Sequence, residues 1–182
     1  MMGRTAVITG QVVWLYAMPS VAPDWRAALF GFPLVAIAAY LPDLDHAGST
    51  AGKKIGRIGS RIVRKSTGGH RGGTHSLLLI YLAYVASGWL LYGSRWAATA
   101  VAIGWASHVW TDLLTIHGVR LFWPLGWLGL LWKPLRVLNY KVRIAWFVTG
   151  GTGEVVYSVL VLVAGALVGA SMLVPYIPGG IT

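Results

Sequence analysis

The chain contains no cysteine. That excludes a disulfide framework, a thiolate metal site and a thiol nucleophile. Acids are almost as scarce, with five Asp and Glu against fifteen Lys and Arg in 182 residues, for a formal charge of +10. Charged residues make up only 11% of the chain, where a soluble domain carries roughly 25%. What fills the space is apolar: 56% of residues are hydrophobic and the mean hydropathy is +0.65. Such a balance belongs to integral membrane proteins, and ten Trp and eight Tyr suit interfacial anchoring. In that setting a positive charge signals topology and attraction to anionic lipid before it signals nucleic acid.

A membrane-crossing helix needs about 20 mostly apolar residues. Five segments are candidates: 5–22, 26–42, 75–93, 96–116 and 154–175. The expected fold is all-α and polytopic, a single domain over 1–182. No internal repeat is visible, and the start does not read as a cleavable signal peptide because it lacks a small-residue cleavage site. The connection 47–73 carries Lys53, Lys54, Arg57, Arg61, Arg64, Lys65 and Arg71, and 117–153 carries Arg120, Lys133, Arg136, Lys141 and Arg143. With Arg4, thirteen of the fifteen cations then fall on one side, and only Arg26 and Arg95 on the other. The positive-inside rule makes that side cytoplasmic, with the amino terminus inside and the carboxyl terminus outside. Within 53–65, Ile55, Ile58, Ile62 and Val63 recur among cations, the pattern of an amphipathic helix on the membrane surface. Residues 121–132, LFWPLGWLGLLW, are apolar but too short to span, and read as an interfacial or re-entrant segment. Gly165, Ala166 and Gly169 allow close helix contact, within the chain or in a dimer.

This topology brings the rare ionisable groups together. Asp43, Asp45 and His46 fall at the inner end of the second span, and His70 and His75 at the inner start of the third. His108 and Asp112 fall in the inner half of the fourth, and Glu154 at the inner start of the fifth. Intramembrane ionisable groups are costly and point to function. His108 and Asp112, four apart, share a helix face. Asp43 and Asp45 share a side only if the chain is extended after Pro42. His70 is expected to hang from the Gly68–Gly73 loop and His75 to sit in a first helical turn capped by Thr74 or Ser76. Imidazole and carboxylate suit a divalent metal, Zn or Mn first among them. Eight donors exceed what one ion needs, so two ions with a bridging water as nucleophile are expected. Arg71 is a candidate phosphate clamp. Asp45 and Glu154 are alternative general bases, and the residues do not choose between them. His117 reads as a loop residue.

The blocks LPDLDH (41–46), GHRGGTHSLL (69–78) and SHVWTDLLTIHGVRLFWPL (107–125) resemble the YdjM/YbcI-like bacterial inner-membrane family, described as membrane-bound metal-dependent hydrolases. Order and spacing agree from about residue 3 to Glu154. The resemblance implies a metal-dependent hydrolase in the bacterial inner membrane. It also marks a departure: relatives begin with a Thr-His pair followed by Gly, whereas Thr5 and Gly10 here flank Ala6 where the histidine is expected. Either the protein naturally lacks one ligand or the sequence carries an inactivating substitution, and Ala6 Cβ is expected to face the site.

The leading expectation is a hydrolase cleaving a phosphoester or other ester of a lipid or membrane-associated substrate at the cytoplasmic face. The runner-up is a metal or proton transporter using the same groups, although transport sites favour the bilayer midplane and repeat symmetry. A nucleic-acid partner has little support, because the cations of 53–65 are not interleaved with aromatics for base stacking.

Overall fold

A computed structural model of the chain describes residues 3–126, 133–144 and 147–173. Its six α-helices are α1 (Gly3–Val21), α2 (Trp25–Ala38), α3 (Thr50–Ser66), α4 (Leu77–Leu90), α5 (Arg95–Leu113) and α6 (Thr152–Leu173). Short 3₁₀ turns cover Leu41–Asp45, Gly73–His75 and Lys133–Asn139. Among the described residues there is no strand, only the isolated bridges Thr115–Phe147 and Val119–Val142. The described residues are all-helical, as the apolar segments predict.

Five of the helices fall on the five apolar segments, with shifted ends. The segment expected at 26–42 stops being α-helix at Ala38, and Pro42 starts a 3₁₀ turn. Proline lacks an N–H and its ring clashes with an α-helical path, so the turn tightens there. The segment expected from His75 begins instead at Leu77, capped by Ser76, whose side chain accepts from Leu79 N. By length and apolarity, one helical stretch among the described residues qualifies to cross a membrane. It lies within Trp25–Ser66, with a mean hydropathy of 1.7, although the turn after Ala38 means this run is not a single rod. The apolar stretches Leu77–Leu90 and Thr152–Leu167 are shorter.

α5 is the central helix, packed on α1, α2 and α4, while α6 lies on α1. Small residues permit this. A Cβ on Gly104 of α5 would strike the Val35 carbonyl and come within 2.8 Å of Ala38 Cβ. A Cβ on Gly31 would enter the Trp14 ring. Trp14, Met18, Ala28, Val35 and Ala100 form the buried centre, and Trp14 Nε1 donates to Ala28 O at 2.9 Å, which satisfies the one polar atom of its ring. Gly165 and Gly169 receive Val12 and Leu15 of α1, so the small-residue face of α6 packs within the chain.

α3 bears out the amphipathic expectation. Ile55, Ile58 and Ile62 are exposed beside its cations. Ser49 caps it, accepting from Gly52 N at 2.9 Å. Gly56, at φ 74°, breaks it into two short pieces, a backbone angle that glycine adopts at little cost. The expected interfacial segment 121–132 is described only to residue 126, and 127–132 lie outside the described residues. Its Trp123 lies over the glycine loop, where a Cβ on Gly73 would meet the indole ring at 2.8 Å.

Candidate metal centre

α5 supplies the fixed wall of the site. His108 and Asp112 are both 1% exposed, one helical turn apart. His108 Nδ1 lies 2.7 Å from the Ala39 carbonyl at the end of α2. A carbonyl only accepts, so Nδ1 carries the proton and Nε2 presents its lone pair. That lone pair faces Asp43 Oδ1 at 3.6 Å and Asp112 Oδ2 at 3.9 Å.

His75 is fixed by a longer chain of bonds. Thr74 Oγ1 donates to Asp45 Oδ2 at 2.7 Å, which leaves its lone pairs to accept from His75 Nδ1 at 2.9 Å. His75 Nε2 is therefore also a lone pair, and it lies 3.3 Å from Asp112 Oδ2. Both Nε2 atoms are buried and make no hydrogen bond. Two lone pairs aimed at carboxylate oxygens in a buried pocket repel them unless a cation sits between. Orphaned buried polar atoms are costly, and this arrangement is that of metal-ligating histidines whose other nitrogen is held by an outer partner. Donor atoms of Asp43, His75 and His108 all lie within 4.8 Å of one another. The residues present thus fit a divalent metal ion.

The two acids of the 3₁₀ turn part company. Two residues apart in such a turn are about 240° apart around the axis, so Asp43 faces His108 while Asp45 turns to the glycine loop. Asp45 accepts from His70 Nδ1 at 2.7 Å, Arg71 N at 3.1 Å and Thr74 Oγ1. Burial pushes its pKa up, but the hydrogen bond from His70, the charges of His75 and His70 and the Thr74 hydroxyl together bring it below the ordinary carboxylate range. Arg71 holds a left-handed backbone, φ 59°, a strained state for a non-glycine residue. Its N–H on Asp45 and its carbonyl, accepting from Arg120 N at 3.2 Å, hold it there. Its guanidinium is not left free as the phosphate clamp expected from sequence. Nη2 donates to Asp112 Oδ1 at 3.1 Å, Nη1 to Thr115 Oγ1 at 3.2 Å, and Nε lies 2.8 Å from Asp112 Oδ2, off the hydrogen-bonding line.

His70 and His46 lie outside the buried group, with ring centroids 4.8 Å apart. His70 stands 6.0 Å from the His75 ring. Both line an open vestibule of 780 Å³ whose wall includes Asp43, Arg4, Lys141 and His117. Burial, and then the neighbouring Arg120 and Arg71, lower the pKa of Lys141. His117, read from sequence as a loop residue, is in a loop but reaches this wall.

Glu154 sits in the first turn of α6, as its sequence position suggests, but away from the converging donors. It is buried, with Oε1 accepting from Thr5 Oγ1 at 2.6 Å and Oε2 from Gly150 N at 2.8 Å. It thereby ties α6 to α1 and is not among the three converging donors. Ala6 is 1% exposed, so it does not face lipid, and its carbonyl accepts from Ser107 Oγ at 2.9 Å, one residue before His108. Thr74, read from sequence only as a possible cap, is the link that sequence reasoning missed. The available signal was a hydroxyl held between Gly73 and His75.

A family model described as YdjM inner membrane protein matches residues 1–176. Inner membrane protein YdjM of Escherichia coli (strain K12) is 37% identical over 100 residues, covering 52% of this chain and 50% of its own. Uncharacterized protein YvsG of Bacillus subtilis (strain 168) is 35% identical over 89 residues, 49% of this chain and 54% of its own. The aligned part of the chain thus spans about half the length of the curated relatives it matches. No solved structure matches. The family match runs through the 3₁₀ turn, the glycine loop and α5 that build the candidate metal centre, and the chain belongs to the YdjM inner membrane protein family.

Proposed function

We propose that this protein is a metal-dependent hydrolase embedded in the inner membrane, with α1, α2, α4, α5 and α6 crossing the bilayer and the site at the cytoplasmic face. The observation that carries the reading is the pair of buried, unbonded Nε2 atoms of His75 and His108 facing Asp43 and Asp112. These four side chains would hold a Zn or Mn ion. A divalent ion bound there supplies Lewis-acid polarisation and lowers the pKa of water.

The remaining work belongs to the protein. His70, with Nδ1–H on Asp45, presents its Nε2 lone pair and takes or returns a proton there. Asp45 orients that imidazole and stabilises its charged form, the role of a carboxylate behind a histidine base. Arg71 acts as a positioning residue that fixes both oxygens of Asp112. Arg4 and Lys141 give the vestibule a positive wall that attracts an anionic ester, and a phosphoester of a lipid or membrane-associated substrate suits that charge. The donors gather at the helix ends beside an open vestibule, which favours chemistry at one face over transport through the midplane.

The test uses the full chain in neutral detergent, with metal content and turnover of phosphoester and carboxylester lipids measured on the same samples. His108→Gln is expected to lose both metal and turnover. His70→Gln is expected to keep most of its metal and lose turnover by 10²–10⁴-fold, the usual worth of a general acid–base. Full turnover in either variant would sink the assignment. Metal flux into proteoliposomes without hydrolysis would give the same cluster to transport.

A further inference from the structure

The second piece of α3 presents Arg57, Arg61 and Arg64 at i, i+4 and i+7, one face of one helix. All three are exposed. Like charges at this spacing repel and destabilise a helix. The acids of this chain face other groups: Asp24, Asp45, Asp112 and Glu154 are hydrogen-bonded elsewhere, and Asp43 faces His108. Among the described residues, none of the three guanidinium groups forms an ion pair. They surround a cavity of 200 Å³, closed on the other side by Asp45, Ala47 and Ser60. Ser60 is 1% exposed and bonded to Gly52 O at 3.2 Å, which braces the wall. Asp45 reaches the cavity wall, with its carboxylate fully buried and bonded to His70, Arg71 N and Thr74. Through Ala47, Gly48, Lys53 and Arg57 a second hollow leads toward the vestibule, which Gly48 also lines.

Next to this face stand Ile58 and Ile62, 77% and 64% exposed. Isoleucines and cations side by side on a surface helix set its depth at the boundary between headgroups and acyl chains. That depth is where lipid phosphates are, and guanidinium groups bind phosphate oxygens in bidentate pairs. We infer that Arg57, Arg61 and Arg64 form a phosphate-binding site for the headgroup of an anionic phospholipid, separate from the metal centre. The charge-neutralising lipid anchors α3 over the rim of the vestibule. The inference rests on the membrane location and not on hydrolysis.

The experiment is calorimetric titration of the full chain, in neutral detergent with metal removed, against short-chain phosphatidylglycerol, short-chain phosphatidylcholine and inorganic phosphate. Saturable binding of phosphatidylglycerol alone is expected. The variant R57Q/R61Q/R64Q should weaken it on the order of a hundredfold, since each cation at a lipid surface contributes about fivefold. The variant K54Q/K65Q/R95Q removes the same charge from exposed positions outside the cavity, and it should bind within about threefold of the parent. Equal weakening in both variants would reduce the effect to general attraction and overturn the site. Inorganic phosphate binding as tightly as the lipid would overturn the lipid as its source. Because neither metal nor turnover enters the measurement, its failure is distinct from failure of the hydrolytic reading.

Discussion

Thr74→Val isolates the bond that orients His75. The substitution keeps shape and volume nearly unchanged and removes one hydroxyl. Asp45 Oδ2 then loses a donor at 2.7 Å and His75 Nδ1 its acceptor at 2.9 Å. His75 is fully buried, so water does not replace that partner. A buried group left unsatisfied costs about 1–3 kcal/mol, and loss of the partner behind a ligating histidine typically weakens metal affinity 10–100-fold. The imidazole is then free to carry its proton on Nε2 instead, where Asp112 Oδ2 at 3.3 Å would accept it. That tautomer has no lone pair left on Nε2, the atom that faces the metal position. The assay is competition for Zn against a chromogenic chelator, with circular dichroism to show retained helix. Thr74→Val should weaken binding by at least tenfold, and Thr74→Ser, which restores the hydroxyl, should recover most of it. Zn affinity in Thr74→Val within twofold of the parent would refute the relay.

Asp45 gives a pH prediction. Its pKa is lowered in the folded protein, so its contribution to stability is fully present above the ordinary carboxylate value near 4. It is lost only as pH falls through the lower folded value. Hydrogen exchange at the Arg71 amide, which Asp45 holds at 3.1 Å, should stay protected as pH falls through the ordinary carboxylate value of about 4 and fail only further down. Loss of protection already at pH 6 would contradict the cradle. Gly104→Ala tests how packing reaches the site. Its Cβ would push on the Val35 carbonyl and on Ala38 and Ala39, costing about 1–3 kcal/mol by overpacking. Because Ala39 O holds His108 Nδ1, thermal stability and Zn affinity should fall together. An effect on stability alone would separate α2 packing from the site.

Much of this arrangement was legible locally. Helical periodicity places His108 and Asp112 on one face whatever surrounds them. Ser76 was readable as a helix cap because a hydroxyl preceding an apolar run satisfies the free N–H groups of a first turn. The surface helix announced itself through isoleucines spaced among cations. Less legible was the parting of Asp43 from Asp45, which depends on the chain taking a 3₁₀ turn after Pro42 instead of extending. The bonding of Arg71 was illegible for a similar reason: its partner Asp112 is 41 positions away, and no local rule tells a free guanidinium from a committed one. Glu154 does fall in the first turn of its helix, but its partner Thr5 lies 149 positions distant.

The sequence by itself determined the class of molecule, the helical segments and the short inventory of groups able to do chemistry. Those follow from composition and from periodicities of a few residues. Only the tertiary structure decided which of those groups face one another and which atoms remain unbonded. Hydrogen-bond partners across packed helices choose the tautomer of each imidazole, and the close approach of α2 to α5 at Gly104 is what brings the Ala39 carbonyl to His108.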